Sequence, residues 1–190
     1  MSKERMETFS DGVIAIIITV MVLELRIPQG AGPAALRPLY PIFLSYVLSF
    51  INLGIYWTNH HHLLQVIERV NGGVLWANLH LLFWLSLFPF ATAWMGENNF
   101  STWPVALYGL DLLLAACAYY VLARALLSLH GADSTLAAAL GSDFKGRISI
   151  VFYIIAVPVA FLNSWIACAI YVLVAAMWLI PDQRIEKRLA

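Results

Sequence analysis

Residues 5–25, RMETFSDGVIAIIITVMVLEL, decide the fold of this chain. The run is mainly apolar from Phe9 to Leu25 and is closed by Arg26 and Pro28. A helix needs roughly 20 such residues to cross the hydrocarbon of a bilayer. Acidic residues precede the run, Asp11 interrupts it, and no small-residue cleavage site follows, which argues against a cleavable signal peptide. We therefore expect a transmembrane helix here.

Five further apolar runs carry this pattern through the 190 residues. The predicted spans are about 9–25, 39–58, 74–95, 103–127, 148–162 and 165–180, and the second helix is expected to continue towards Arg69 outside the hydrocarbon. Asn163 and Ser164 make the last two spans a hairpin with short arms. The predicted fold is an all-α, six-span polytopic membrane protein with residues 1–190 in a single membrane domain.

The composition excludes several classes of function. Hydrophobic residues make up 62% of the chain and charged residues only 12%, which leaves no room for a soluble catalytic domain. The 11 basic residues balance the 11 acidic ones, so the basic excess of a nucleic-acid-binding surface is missing. Cys117 and Cys168 lie in apolar runs, where packing is their usual role, and no zinc-type spacing occurs. We expect no enzyme and no bound cofactor.

The basic residues predict the orientation in the membrane. With the N-terminus inside, the inner segments carry Lys3, Arg5, Arg69, Arg124, Lys145, Arg147, Arg184, Lys187 and Arg188. The outer segments carry only Arg26 and Arg37. This bias predicts that both termini are cytoplasmic.

Ionisable residues within spans are costly and usually face protein or water. Asp11 lies one turn into the first span, and His80 and Asn78 lie at about the same depth in the third. A buried carboxylate and imidazole at one depth suggest a hydrogen-bonded pair, with Trp76 and Trp84 as further donors. The alternative is that Asp11 only begins the helix at the membrane interface, where the helix dipole favours it.

Two other polar features are open to several interpretations. His60, His61 and His62 suggest a metal site, but adjacent residues cannot all face one ion from a helix. We favour an interfacial cluster with one histidine pointing into the bundle. Asp111, in the outer half of the fourth span, is expected to be a satisfied, bundle-facing acid rather than a permeation site.

One face of the first span has the character of a pore wall. The three- and four-residue spacing of a helix places Gly12, Ile16, Thr19, Val20 and Leu23 together. Along this face the single hydroxyl of Thr19 lies between aliphatic side chains, and Glu24 follows near the outer end. Periodicity alone equally allows a lipid-facing helix.

The R-x-x-x-F-S-D string formed by Arg5, Phe9, Ser10 and Asp11 resembles the signature of the transmembrane protein 175 family of potassium channels. The stretches WTNHH at 57–61, NLH at 78–80 and LFPF at 87–90 add to the likeness. The resemblance rests on motifs in the first three spans and on span count and hydropathy in the others. A single six-span repeat resembles the prokaryotic members, which work as tetramers.

The resemblance implies roles for individual residues. Ile16 matches the constricting isoleucine of the pore, Thr19 matches the threonine layer implicated in potassium selectivity, and Val20 and Leu23 match adjoining hydrophobic levels. The signature residues Arg5, Phe9, Ser10 and Asp11 are expected to tie the pore helix to its neighbours, with His80 and the third-span tryptophans, including Trp76, as partners. No protein-ligated metal is expected, only transient K⁺ near Thr19.

The expected function is therefore a potassium-preferring cation channel, homotetrameric, in the plasma membrane of a prokaryote. Its partners are copies of itself, the lipid bilayer and monovalent cations. The main alternative is a proton-coupled transporter with Asp11, His80 and Asp111 as a relay, although transporters more often show inverted repeats. An intramembrane enzyme built on His60–His62 is a third alternative that lacks a second set of ligands.

Overall fold

The computed structural model describes residues 2–131, 134, 136–137 and 143–179, and these contain helices and connecting segments but no strand. The helices are α1 (Lys3–Leu23), α2 (Tyr40–Gln65), α3 (Gly72–Ser86), α4 (Phe88–Glu97), α5 (Thr102–His130), α6 (Phe144–Ala160) and α7 (Ser164–Leu179). A short 3-10 helix, Pro33–Leu39, precedes α2. The predicted all-helical, six-pass architecture is confirmed, with α3 and α4 together forming the third pass.

Four helical segments are long and apolar enough to cross a membrane. They cover Lys3–Leu23, Pro33–Gln65, Gly72–Glu97 and Thr102–His130. The last two helices are shorter, with 17 residues in α6 and 16 in α7, in agreement with the predicted short-armed hairpin. The helices extend beyond the apolar runs, so that α1 begins at Lys3 and α2 continues to Gln65. Residue 180, the predicted end of the sixth span, lies outside the described residues.

The third pass is broken at Leu87, which the sequence analysis did not predict. Leu87 ends α3 and precedes α4, and Pro89 occupies the first turn of α4. Proline lacks the N–H that would bond to the carbonyl four residues earlier, and its ring clashes with that carbonyl. The break therefore follows from Pro89, in the LFPF stretch.

Contacts between the connecting segments confirm which helix ends share a side of the bundle. The Lys3 ammonium donates to the Ile67 carbonyl at 3.0 Å, and the Glu68 backbone N–H donates to His130 Nε2 at 3.3 Å. The start of α1, the α2–α3 connection and the end of α5 therefore lie together. At the other end of the bundle, Arg26 forms an ion pair with Glu97.

Helix α5 occupies the centre of the bundle and α1 its periphery. Helix α5 packs against α3, α4, α6 and α7, and small residues such as Ala115 and Ala118 are fully buried on it. Gly109 leaves room for the Tyr171 side chain of α7, which a Cβ at this position would overlap. The closest neighbours of α1 are α2, α3 and α4, so one side of α1 remains open.

Candidate functional site: the first helix and its supports

Helix α1 has a buried face that fixes it to the bundle. Ser10, Ile14, Ile17 and Met21 are buried, at successive spacings of four, three and four residues. These spacings place them on one side of a helix. The apolar members belong to the hydrophobic core, and Met6 continues the face towards the N-terminus.

The opposite face of α1 carries the residues that the sequence analysis assigned to a pore. Gly12, Ile16, Thr19 and Leu23 are exposed, with 63% of Ile16 and 82% of Leu23 accessible in the protomer. Val20 is partly buried and therefore lies at the flank of this face. In the described part of the protomer, this aliphatic face, with the single hydroxyl of Thr19, is therefore exposed.

The Thr19 hydroxyl is oriented by its own helix. Thr19 Oγ1 donates a hydrogen bond of 2.8 Å to the Ile16 carbonyl. Because the hydroxyl hydrogen is committed to the backbone, the oxygen lone pairs remain available on an exposed side chain. This arrangement presents the negative end of the hydroxyl dipole, which suits a cation.

A buried chain of hydrogen bonds joins α1 to α3 and α2. Asn78 Nδ2 donates to Ser10 Oγ at 2.9 Å, and Asn78 Oδ1 lies 2.7 Å from His60 Nε2. Ser10 in turn donates to the Met6 carbonyl at 2.8 Å. With Nε2 of His60 as a donor, each donor in the chain has an acceptor. His60 is the one histidine of the cluster that points into the bundle, as predicted, while its Nδ1 lacks a partner among the described residues.

A second, more exposed connection joins the start of α1 to α2. Trp57 Nε1 donates to Asp11 Oδ1 at 3.0 Å. The Trp57 ring stacks on His61, with 6.0 Å between ring centroids, and His61 Nδ1 lies 3.4 Å from Glu7 Oε1. Together these contacts hold one full turn of α1 against α2.

The expected pairing of Asp11 with His80 is wrong. His80 is exposed and accepts a hydrogen bond of 2.9 Å from Trp84 Nε1, one turn later on the same helix. Trp76 is 75% exposed, and the indole that donates to Asp11 is that of Trp57. Similar depth in the membrane does not place two residues on facing sides of their helices, and α3 turns His80 outward.

Arg5 and Phe9 are exposed in the protomer, and Arg5 forms no ion pair within the described ranges. The structure therefore joins Ser10 and Asp11 of the signature to neighbouring helices by hydrogen bonds, whereas Arg5 and Phe9 are exposed. No group of three potential metal ligands occurs among the described residues, and His60–His62 do not converge on one point.

A polar stripe on α2 was not predicted from the sequence. Ser45, Ser49, Asn52 and His60 are buried on this helix. Their spacings of four, three and eight residues keep them on one side, and this periodicity was available from the sequence. Ser49 lies 2.6 Å from Thr92 and donates to the Tyr108 hydroxyl at 3.0 Å, so the stripe links α2 to α4 and α5.

Asp111 faces the bundle interior, as expected, but it is not satisfied. Its side chain is buried, and neither carboxyl oxygen has a hydrogen-bond partner in the part of the chain that the structure describes. The described contacts also connect none of Asp11, His80 and Asp111 to one another, so they do not form a relay.

Comparisons with known proteins show what this chain is similar to. Residues 5–89, which contain the signature string and the polar chain around Asn78, match the family described as "Endosomal/lysosomal potassium channel TMEM175". A protein of Chryseobacterium sp. (strain P1-3) named "Potassium channel HX13_20290" is 54% identical over 189 residues, covering 100% of this chain and 98% of that protein. This chain belongs to the TMEM175 family. The family consists of ion channels, so the chain is not an enzyme.

The TMEM175 fold itself extends over the whole bundle. The crystal structure of "a lysosomal potassium-selective channel TMEM175 homolog from Chamaesiphon Minutus" superimposes with a TM-score of 0.81 and 26% identity, covering 94% of this chain and 96% of that one. The human protein named "Endosomal/lysosomal proton channel TMEM175" is 40% identical over 75 residues, which is 33% of this chain and 15% of that protein. The structure from Chamaesiphon minutus thus matches this chain over nearly its whole length, whereas the human protein matches it over a short segment.

Proposed function

We propose that this protein is a potassium-preferring cation channel in which α1 lines the pore. The observation that carries the proposal is the division of α1 into a buried face and an exposed face bearing Gly12, Ile16, Thr19 and Leu23. The names of the bacterial relatives, potassium channels from Chryseobacterium and from Streptomyces collinus, support potassium as the ion.

One copy of α1 cannot enclose a path for ions. Several copies must therefore meet on a common axis, and the resemblance to prokaryotic members of the family favours a homotetramer. In such an assembly the exposed faces of α1 turn towards one another. The Thr19 hydroxyl then faces the axis rather than lipid.

The order of side chains along α1 supports a gate at Ile16 and a selective layer at Thr19. Ile16 side chains that converge on an axis form an apolar constriction, which blocks ions by losing its water. Thr19, with its hydrogen donated to the Ile16 carbonyl, offers oxygen to a partly dehydrated cation. Val20 and Leu23 supply hydrophobic levels beside this layer. K⁺ is thus a permeant ion held transiently near Thr19 rather than a bound cofactor.

The charge distribution supports cytoplasmic termini, and the bacterial relatives support the plasma membrane of a prokaryote. Lys3, Arg5 and Arg69 lie on the side of the bundle where α1 begins, and Arg26 lies on the other. The remaining basic residues assigned to the inside include Arg184, Lys187 and Arg188, which lie outside the described residues. By the positive-inside rule, this distribution favours a cytoplasmic start of α1.

Cysteine accessibility tests this proposal directly. Cys117 and Cys168 are first replaced by alanine, and single cysteines are then introduced at Ile16, at Thr19 and, as a matched control, at the buried Ile17. The purified proteins are reconstituted in liposomes, and potassium flux is measured before and after a charged, water-soluble thiol reagent. We expect modification to change flux at positions 16 and 19 and not at 17. Flux that responds equally at all three positions, or at none, contradicts a pore lined by this face.

A further inference from the structure

Asp111 is an unpartnered acid in the interior of the scaffold. Its side chain on α5 is 6% exposed, and neither Oδ1 nor Oδ2 has a hydrogen-bond partner among the described residues. Other buried polar side chains nearby, such as Ser49 and Thr92, are hydrogen-bonded to each other. A carboxylate buried without a partner is strongly disfavoured relative to its neutral acid.

The groups around Asp111 offer no compensating positive charge. The ionisable groups that interact with Asp111 within the described residues are the phenols of Tyr56 on α2 and Tyr108 on α5. Cys117 and Tyr153 lie near Tyr56, Cys168 and Tyr171 lie near Tyr108, and all of these phenols and thiols are neutral at physiological pH. Phe88 of α4 packs against Tyr108, and His80 of α3 is exposed. No described lysine, arginine or histidine forms an ion pair with Asp111.

We propose that Asp111 is a proton-binding site, whose carboxyl is neutral at physiological pH. A metal ion does not explain the site as well, because hard cations take several oxygen ligands and no group of potential ligands clusters in the described residues. A proton needs no additional volume and no further ligand. The site is separate from the face of α1 that we assign to ion conduction.

A chain of contacts connects this region to the pore helix. Tyr108 precedes Asp111 by three residues on α5 and accepts a hydrogen bond from Ser49. Ser49 contacts Thr92, whose Oγ1 lies 4.0 Å from Met21 Sδ on the buried face of α1. Loss of the proton at alkaline pH creates a charge that requires water or new donors. We therefore expect ionisation of Asp111 to loosen the packing behind α1.

Infrared spectroscopy tests the proton site without relying on the proposed channel function. The difference spectrum between wild type and Asp111→Asn at neutral pH is expected to contain the carbonyl stretch of a protonated carboxyl, shifted in deuterated water. Glu68→Gln removes an exposed carboxylate and serves as the matched control, for which the same band is expected to be absent. If the difference spectrum shows carboxylate bands for Asp111 instead, the proposal is overturned.

A second measurement covers the case in which Asp111→Asn does not fold. Wild-type protein labelled with carboxyl-¹³C aspartate distinguishes a neutral acid from carboxylates by its carbon chemical shift. We expect one buried aspartate signal to keep the acid shift at a pH at which the other aspartates have the carboxylate shift. Carboxylate shifts for every aspartate at neutral pH would contradict the proposal.

The consequence for stability has a definite sign. The folded state binds a proton at Asp111 that the unfolded chain has lost, so stability decreases as the pH rises above about 4. Asp111→Asn cannot ionise and is expected to show a smaller decrease of Tm between neutral and alkaline pH than wild type. Equal pH dependence in the two proteins contradicts the proposal.

The effect on current rests on the proposed channel function. We expect Asp111→Asn to conduct like wild type at neutral pH and to lose less current at alkaline pH, whereas equal alkaline losses would overturn the coupling to α1. Absence of potassium current in both proteins at every pH would overturn the channel function and leave the infrared result to decide the proton site.

Discussion

Trp57 Nε1 donates a hydrogen bond of 3.0 Å to Asp11 Oδ1, and this contact ties the start of α1 to α2. Asp11 is partly exposed, and its partner belongs to the WTNHH stretch that follows the apolar part of α2. Asp11 of the signature therefore accepts a hydrogen bond from the indole of Trp57 rather than pairing with the imidazole of His80. In the proposed channel this contact sets the position of the pore helix at its cytoplasmic end.

Trp57→Phe removes the donor and retains a ring that stacks on His61. We expect the free energy of unfolding to decrease by about 1 kcal/mol. The decrease is modest because the bond lies at a partly exposed site, where it is worth less than a buried bond to a charged group. Asp11→Ala removes the acceptor and is expected to impair assembly further, whereas Asp11→Asn, which keeps an acceptor oxygen, is expected to recover part of it. Thermal unfolding and the fraction of assembled oligomer in size-exclusion chromatography measure both effects.

Trp103→Phe is the control for the indole substitution. Trp103 is exposed at the start of α5 and contacts Phe161 through its ring, which phenylalanine preserves. We expect this control to match wild type. If Trp57→Phe also matches wild type in stability and assembly, the Asp11–Trp57 contact does not support the pore helix.

Asn78→Ala tests the buried hydrogen-bond chain. Asn78 joins Ser10 of α1 to His60 of α2, so its removal leaves His60 Nε2 without a partner and leaves Ser10 Oγ only its bond to the Met6 carbonyl. Each unsatisfied group costs about 1–3 kcal/mol. We expect a marked decrease in Tm, larger than that of the exposed control Asn98→Ala, in which only a local bond to the Trp94 carbonyl is lost. Equal Tm values for the two variants would contradict the supporting role of Asn78.

The sequence predicted the helices well and the contacts between them less well. Hydrophobic runs of sufficient length located the apolar helices, because lipid-spanning helices must be apolar and must satisfy their backbone internally. The break at Leu87 was readable from Pro89 but was overlooked. The partner of Asp11 was wrong because depth in the membrane was used in place of helix rotation, which depends on packing. The buried, unpartnered state of Asp111 depends on neighbours from four other helices, which no single stretch of sequence specifies.

Ile16→Asn tests the proposed gate. An amide at the constriction retains water where isoleucine expels it, so the barrier to ions is expected to fall and cation conductance to rise. Ile16 is exposed in the protomer, so the change leaves the buried face of α1 intact and assembly is expected to persist. Single-channel or liposome flux recordings measure the conductance.

Ile166→Asn on α7, also exposed in the protomer, is the control and is expected to leave conductance unchanged. Unaltered or lower current in well-assembled Ile16→Asn protein would place the gate at another level.

Thr19→Val tests the selective layer. Valine preserves the branched shape of threonine and removes only the hydroxyl, so the radius of the pore is expected to change little. In the structure this hydroxyl donates to the Ile16 carbonyl and keeps its lone pairs on an exposed side chain. If those oxygens replace part of the hydration of potassium, their loss penalises potassium more than an ion that retains its water.

The expected result is a smaller preference for potassium over sodium in a channel that still opens, because Ile16, one turn away, is unchanged. The measurement is the reversal potential under bi-ionic potassium and sodium conditions. Thr58→Val is the matched control, since Thr58 also is exposed on a helix and donates its hydroxyl to a backbone carbonyl, that of Gly54 on α2. A wild-type reversal potential in an active Thr19→Val channel would assign the discrimination to another layer. A shift in Thr19→Val that is absent from Thr58→Val would locate it on the exposed face of α1.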